Sequence, residues 1–288
     1  PTTDIYTLSL HDALPILAAA AAAPFLLPQA RFGEASVARL MVGGNPVSGN
    51  SHLSPALDQE MADYFSAANV KKMLFQCEHE GINVWQSRGD RHILRLLREY
   101  RNEGGKLHWI AQTASEFGDF RANARNIAAG KPLGIYLHGS LTDRLYQSGK
   151  AAEIPERLKI LRDTGVRTGL ASHIPEVIDL AESQNWDLDF YMTCLYNLSR
   201  PRVDGKEHFD ESDRPRMLAR VRQTRRQCLI FKIYGATRRC RSEDDMRNAL
   251  REAFAAAKPN DCVILGMFPK HADQVAQNAR LVREVLST

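Results

Sequence analysis

The chain has 288 residues, of which 44% are hydrophobic and 25% are charged, and its formal net charge is +4. This composition is typical of a globular protein with a sizeable core, and it excludes a disordered or collagen-like chain. The charge excess is small and no basic stripe is interleaved with stacking aromatics, which argues against nucleic acid as a partner. We expect a small-molecule substrate and no membrane span, and the sequence leaves the oligomeric state open.

The first 30 residues differ in character from the rest of the chain. Residues 7–16, TLSLHDALPI, resemble a translated sequencing adapter and are set aside in reasoning about the fold. Residues 17–30 are alanine-rich and apolar, like the end of a secretory signal peptide, and are too short to span a bilayer. We therefore expect an exported, periplasmic protein, or a cytoplasmic one if this segment is not a signal, with its folded domain over residues 31–288.

Short apolar runs alternate with helical patterns along the rest of the chain. Strands are predicted over residues 37–42, 82–86, 107–111, 134–137, 167–171, 189–194, 227–234 and 261–267. Helices are predicted over residues 58–79, 92–102, 120–129, 153–164, 175–183, 212–224, 242–257 and 271–286. This alternation predicts an α/β fold, a single (β/α)8 TIM barrel. An open doubly wound sheet is less favoured, because residues 43–46 do not match the glycine pattern of a dinucleotide turn.

Most of the predicted strands end in a polar residue, and the carboxyl ends of barrel strands form the catalytic face. His138, His173 and Cys194 follow neighbouring strands, and their side chains are good ligands for a divalent transition metal. His52, in the loop after the first strand, is a further candidate ligand. The alternative for each histidine is a hydrogen-bonded residue of the barrel rim, and for the cysteine a small buried side chain.

Lys232 joins His138 and His173 as a candidate catalytic residue. A lysine buried at a barrel mouth has a lowered pKa and serves as a base or Schiff-base nucleophile, although a structural ion pair is the alternative. Gln86 and Gln112 cannot titrate, but their amides can orient a polar substrate. Further candidates for substrate binding are Asn45, Arg88, Tyr196, Asn197, Tyr234 and Arg238, the last of which could bind an anionic group together with Arg239.

Two features of the loops bear on the reaction class. The nearest carboxylates to the strand ends, Asp90, Glu116 and Asp143, are all placed in loops, so a glycosidase with paired strand-end acids is disfavoured. Residues 197–211 are polar and unusually long for such a connection, as functional lids often are.

Several segments resemble the aldo-keto reductase superfamily. They are residues 77–86 (CEHEGINVWQ), residues 134–140 (GIYLHGS), residues 153–173, which end in GLASH, the pair Tyr196-Asn197 and residues 266–278, which end in QVAQN. The resemblance implies a (β/α)8 barrel that binds NADP and catalyses with an Asp, a Tyr, a Lys and a His.

Only one of those four catalytic positions is kept. His138 matches the family's histidine, whereas Gln86, Arg91 and Gln112 or Thr113 stand where the Asp, Tyr and Lys are expected. Hydride transfer without the phenol lacks its acid. Asn278 matches a residue at the adenosine end of the cofactor, but Gln277 stands where a glutamate is usual, so the resemblance does not support NADP binding.

The leading hypothesis is an exported barrel enzyme acting on a polar small molecule such as a sugar derivative. Its chemistry would be non-nicotinamide and metal-assisted, with the class open between lyase, isomerase and hydrolase. The alternatives are a divergent NADP-dependent oxidoreductase and a binding barrel without catalysis.

Overall fold

The computed structural model describes residues 26–114 and 118–287. Its strands are β1 Gln29–Phe32, β2 Ala35–Ala38, β3 Leu40–Gly43, β4 Val84–Arg88, β5 His108–Gln112, β6 Gly134–Leu137, β7 Arg167–Ser172, β8 Phe190–Cys194, β9 Gln227–Phe231 and β10 Cys262–Gly266. Strands β3 to β10 form a closed parallel barrel in chain order. The ring closes at β10, where Val263 lies opposite both Leu40 of β3 and Ile230 of β9. The prediction of a single (β/α)8 TIM barrel is confirmed.

Helices follow the barrel strands and cover their outer side chains. They are α1 Pro55–Tyr64, α2 Ala67–His79, α3 Arg91–Asn102, α4 Phe120–Ala129, α5 Gly139–Gln147, α6 Glu153–Arg162, α7 Pro175–Ser183, α8 Asp213–Gln223, α9 Glu243–Ala256 and α10 Gln274–Ser287. The single helix predicted over residues 58–79 is two helices, because Ser66 caps α2 by accepting a hydrogen bond from the Asn69 N–H. Within the described residues, no helix combines the length and the apolar content needed to cross a bilayer.

Helix α5 is an element that the sequence pattern did not predict. It begins at Gly139, directly after strand β6, and His138 at its N-cap makes no side-chain capping hydrogen bond. Glycine disfavours helix interiors and the usual capping signal is missing, so the segment resembles a loop. The helix matters for the site because it carries Asp143, which is fully buried.

A β-hairpin closes the amino-terminal end of the barrel. The strand predicted over residues 37–42 divides at Arg39 into β2 and β3, and β2 pairs with β1 in an antiparallel hairpin. Ala30, Phe32 and Val37 pack in one cluster with the inner side chains of the barrel. The amino-terminal end of the barrel is therefore filled with apolar side chains, and the opposite end is left for chemistry.

The hairpin also shows how early the folded part of the chain begins. Leu27 and Ala30 are 1% and 5% exposed, so residues upstream of the predicted boundary at residue 31 belong to the packed structure. The adapter-like segment of residues 7–16, and residues 17–25 of the signal-like segment, lie outside the described residues.

Replacing Phe32 by alanine is expected to lower the free energy of unfolding by about 3–5 kcal/mol. Its ring is buried, lies edge-on to Phe190 at a centroid distance of 5.1 Å, and stacks with the Arg167 guanidinium at 5.3 Å. Urea unfolding would measure the loss, with Arg31→Ala on the exposed side of β1 as the control. A loss below about 1 kcal/mol would show that the hairpin is not part of the core.

Candidate active site

Strand alternation decides which side chains face the barrel axis. Tyr136 and Ala171 belong to the inner cluster, whereas Leu137 and Leu170 belong to the outer one. Because side chains alternate along a strand, the residues two positions beyond the inner ones also face the axis. This places His138, His173, Cys194 and Arg88 around the carboxyl-terminal mouth, as the strand ends predicted.

Below the mouth, the two strand-end glutamines form a buried polar layer. The Gln86 amide donates to the Tyr136 hydroxyl at 2.6 Å, and that hydroxyl donates to Gln112 Oε1 at 3.2 Å. Burial raises the pKa of Tyr136 above its usual range, so the phenol stays protonated and can serve as this donor. The glutamines are thus bonded inside the barrel, and their role toward substrate stays a prediction.

His173 forms the best-defined dyad of the mouth. Its Nδ1 lies 2.6 Å from Oδ2 of the buried Asp143, which also accepts the backbone N–H of His173 at 3.2 Å. Two hydroxyl groups donate to the same carboxylate, from Ser172 at 2.5 Å and from Ser199. A neutral imidazole opposite this carboxylate carries its proton on Nδ1, so Nε2 keeps a lone pair for proton transfer.

Lys232 follows strand β9 in an unusual backbone conformation. Its φ of 63° is left-handed, a state that non-glycine residues rarely adopt. Regular alternation would point Lys232 outward, since Ile230 packs in the outer cluster. Instead its ammonium lies 5.8 Å from the centre of the Phe209 ring. Strain of this kind persists where the surrounding structure enforces it, often at functional sites.

The surroundings of Lys232 lower the pKa of its ammonium group. Burial lowers the pKa of Lys232 to about 8, and the charge of Arg238 acts in the same direction. Cys194 and Glu207 oppose the shift without cancelling it. Within the described part of the chain, the ammonium forms no hydrogen bond or ion pair. Among the described residues, Lys232 therefore does not form the structural ion pair that was the predicted alternative.

The β8–α8 loop, residues 195–212, reaches across the mouth to the loop after β3. Glu207 Oε2 accepts a hydrogen bond from His52 Nδ1 at 2.7 Å, and Asn45 Nδ2 lies 3.1 Å from the other ring nitrogen. Burial lowers the pKa of His52. Burial would raise the pKa of Glu207, but the hydrogen bond and charge of His52 and the charge of Lys232 hold it below its ordinary value. Both nitrogens of His52 are thus engaged within the protein.

The predicted metal ligands do not form a metal site in the described residues. No group of three or more His, Cys, Asp or Glu side chains among residues 26–114 and 118–287 is arranged to hold an ion. Burial raises the pKa of Cys194 to about 12, so it is a thiol at neutral pH. Nδ1 of His173 and both ring nitrogens of His52 are bonded to other side chains. His138 donates its backbone N–H to Thr113 at 3.0 Å. The described residues therefore bring no set of these side chains together as a metal centre, and the transition metal stays a prediction.

Other predicted binding residues are engaged in internal contacts. The Tyr196 hydroxyl donates to Glu211 at 2.7 Å and accepts from Arg214 at 3.1 Å. The Tyr234 hydroxyl donates to Asn278 Oδ1 at 2.9 Å, and the same amide donates to a helix carbonyl. Asn278 is buried and its amide is bonded at both ends within the protein, so the described residues lend no support to the predicted contact with NADP.

Three further predicted residues lie at or near the rim. Arg88 pairs with Asp90 at 3.4 Å. Asn197 shapes the start of the β8–α8 loop, where its side chain accepts the Ser199 N–H at 3.2 Å. Arg238 stacks on the Phe209 ring with its guanidinium carbon 3.8 Å from the ring centre.

Sequence reasoning missed the partners of the candidate residues. Asp143 was placed in a loop, and Ser199, Glu207 and Phe209 were not singled out. The length and polarity of residues 197–211 were the one available signal, because all three lie in that segment. Their partners are distant in sequence, and only the folded barrel brings them together.

Comparisons with known proteins show the fold alone. The sequence matches no protein-family model and no curated protein. A truncated 3-deoxy-D-arabino-heptulosonate 7-phosphate synthase from Thermotoga maritima is similar in structure, with a TM-score of 0.56 and 14% identity over 91% of this chain and 92% of that one. A phospho-2-dehydro-3-deoxyheptonate aldolase (DAHP synthase) from the same organism has a TM-score of 0.55 and 13% identity, over 91% and 73%. An aldolase designated QR15 has a TM-score of 0.50 and 12% identity, over 77% and 90%.

The predicted relation to the aldo-keto reductases is wrong. The similar solved structures are DAHP synthases and an aldolase, and no family model supports the resemblance. Residues 134–140 and 169–173, which carried it, are barrel strands with the turns that follow them. Barrels of many functions share that pattern, so short matches of this kind indicate the barrel fold and not the catalytic activity. The chain is thus a (β/α)8 barrel whose structural likeness extends to synthases and aldolases.

Proposed function

We propose that the protein is a lyase of the aldolase type, acting on a small polar oxo compound such as a sugar derivative through an imine on Lys232. The observation that carries the proposal is a half-buried lysine at the catalytic end of the barrel, with its pKa lowered to about 8 and no ionic partner among the described residues. The aldolase of similar fold is compatible with this class.

The lowered pKa matters because only the neutral amine is a nucleophile. At pH 7 about a tenth of an amine with this pKa is neutral, against roughly one part in three thousand for a lysine of ordinary pKa. The cause is burial together with the charge of Arg238, which the carboxylate of Glu207 does not offset.

The reaction would divide the work between Lys232 and His173. The amine adds to the substrate carbonyl, and loss of water gives an iminium ion. Nε2 of His173 takes the proton of the hydroxyl group on the β carbon, and the bond between the α and β carbons breaks. Its electron pair passes into the iminium to form an enamine. Protonation of the enamine carbon and hydrolysis release the second product and restore the amine.

Asp143 holds His173 for this role as a positioning residue. Its carboxylate keeps the Nδ1 proton in place and stabilises the imidazolium that forms when Nε2 accepts a proton. Phe209, whose ring lies against Lys232 and Arg238, would shield the iminium from premature hydrolysis.

Reductive trapping is the direct test. Incubation with pyruvate and cyanoborohydride is expected to alkylate Lys232, which peptide mass spectrometry would locate. The labelling rate should rise through pH 8 and level off near pH 9, because the amine is then mostly neutral.

Lys258 serves as the internal control. It is also partly buried, but its ammonium is bonded to Asp261 at 2.7 Å and to the Val221 carbonyl at 2.8 Å. It should stay unlabelled under conditions that modify Lys232. Equal labelling of the two lysines, or labelling of neither, would contradict the proposal and leave a binding barrel without catalysis as the better account.

A further inference from the structure

Arg238 is a cation at the mouth without a carboxylate partner among the described residues. Its Nη1 donates to three backbone carbonyls, those of Gly235 at 3.0 Å, Ala236 at 3.2 Å and His52 at 3.5 Å. Its guanidinium carbon lies 3.8 Å from the centre of the Phe209 ring. These contacts fix the plane of the guanidinium and leave its charge uncompensated.

The Nε and Nη2 edge of Arg238 is the part left available. In the described part of the chain neither atom donates a hydrogen bond, since all of its polar contacts pass through Nη1. Two parallel N–H donors on one edge are the arrangement that binds a carboxylate or phosphate in bidentate fashion. Arg238 also lines a surface depression open to solvent. The two carboxylates of that depression, Glu211 and Asp245, are both paired with Arg239.

The neighbouring Arg239, unlike Arg238, has a structural role. Arg239 donates to Glu211 at 2.9 Å and to Asp245 at 3.1 Å, so its charge is matched on both sides. The sequence had suggested Arg238 and Arg239 as equal candidates for an anionic group. The structure separates them, because only Arg238 keeps a free edge among the described residues.

The position of Arg238 relative to Lys232 indicates the kind of substrate that could reach both side chains. The Lys232 ammonium lies 5.8 Å from the same ring centre that Arg238 approaches to 3.8 Å. The two groups are therefore no farther apart than the sum of those distances, which a molecule of a few carbons can span. Two cations this close, with Glu207 the one carboxylate among the described residues that acts on Lys232, leave positive charge that an anionic substrate would balance.

We propose that Arg238 binds an anionic group of the substrate, so that the substrate class is an oxo acid or an oxo phosphate whose carbonyl carbon reaches Lys232. This inference rests on the proposed function for the role of Lys232, while the anion site itself stands on the contacts of Arg238. Carboxylate and phosphate share the bidentate geometry, and the test distinguishes them.

The experiment compares anionic probes with neutral analogues in the same trapping reaction. Pyruvate is paired with pyruvamide, and dihydroxyacetone phosphate with dihydroxyacetone. In the unmodified protein, one anionic member is expected to label Lys232 about 10- to 100-fold faster than its neutral partner. Arg238→Ala should bring that ratio close to one, and Arg238→Lys should restore part of it. The pair with the larger ratio identifies carboxylate or phosphate as the preferred group.

Arg241→Ala is the matched control, because Arg241 is an exposed arginine lining the same depression. It should leave both ratios unchanged. A ratio near one in the unmodified protein, or a ratio that survives Arg238→Ala, would overturn the anion site while leaving the imine on Lys232 intact.

A second measurement keeps the two proposals separate. Inorganic phosphate or acetate is expected to raise the melting temperature of the protein, and Arg238→Ala should remove that increase while Arg241→Ala keeps it. If no carbonyl probe labels Lys232 but this anion effect is present, the proposed function fails and the anion site stands. If the increase is equal in all three proteins, the anion site is contradicted whatever happens at Lys232.

Discussion

Lys232→Met is expected to abolish imine trapping and turnover while making the fold more stable at neutral pH. Folding holds the pKa of Lys232 at about 8, below the ordinary value of 10.5. Between these two pH values the unfolded chain binds more protons than the folded one, so the stability of the unmodified protein rises with pH across that window. Below pH 8 the Lys232 ammonium is charged in the folded protein, where it is poorly solvated. Methionine removes this penalty, so the free energy of unfolding should rise by about 1–3 kcal/mol.

Urea unfolding of both proteins at pH 7 and pH 10 would measure this effect. The advantage of the methionine variant should be largest at pH 7 and shrink toward pH 10, because the lysine is then neutral in the folded state. Equal stability of the two proteins at both pH values would show that folding does not lower the pKa of Lys232. The proposal that Lys232 is a nucleophile would then be contradicted.

Lys258→Met provides a control of opposite sign. Its ammonium is paired with the fully buried Asp261 at 2.7 Å. Removing the lysine leaves a buried carboxylate without its counter-charge, which should cost about 3–5 kcal/mol. Lys258 would then be a lysine that stabilises the fold, and Lys232 one that destabilises it and is kept for function.

Asp143→Asn is expected to slow proton transfer at the site by about 100- to 10,000-fold with little effect on imine formation. The asparagine amide donates where the carboxylate accepted, so it would face the Nδ1–H of His173 with another donor. The imidazole would then move its proton to Nε2 and lose the lone pair needed for catalysis.

Two readouts separate this positioning role from a loss of structure. Deuterium exchange into the methyl group of pyruvate reports proton removal after the imine has formed, and trapping at Lys232 reports the imine alone. Exchange should fall while trapping stays within about threefold. Nitrogen NMR of His173 should show the change of tautomer. Exchange and trapping that fall together with the melting temperature would mean that Asp143 only supports the fold.

Ser199→Ala is the milder companion variant. It removes one hydrogen bond to the Asp143 carboxylate and leaves the bonds from Ser172 and His173 in place. The exchange rate should fall by about tenfold or less, because the imidazole keeps its partner.

The strand ends illustrate how far sequence alone could predict the site. His138, His173, Cys194 and Lys232 were predicted at the mouth because each ends a predicted strand, and in the structure each ends or directly follows a barrel strand, while their roles stay predictions. The sequence did not predict the left-handed backbone of Lys232, which departs from the regular strand conformation. The hydrophobic periodicity of the sequence does not indicate such a backbone conformation, because tertiary contacts enforce it.

The pairing of side chains lay beyond the sequence for a different reason. Asp143 and His173, and His52 and Glu207, are joined by hydrogen bonds between residues far apart in the chain. Both pairs connect loops or helices on different parts of the rim, and the positions of those elements follow from barrel closure. The resemblance to aldo-keto reductases failed in the same way, since it matched local strand and turn patterns that many barrels share.

The barrel could be predicted from the sequence, since repeated strands and helices of suitable length leave few other ways to bury their apolar faces. The catalytic end could be predicted too, because side chains at the carboxyl ends of parallel strands must gather there. Which of those groups can react depends on contacts that form when the barrel folds. Hydrogen bonds occupy Gln86, Asn278 and His52, whereas burial and the charge of Arg238 lower the pKa of Lys232. That distinction depends on charge and solvent in three dimensions, which local sequence patterns do not record.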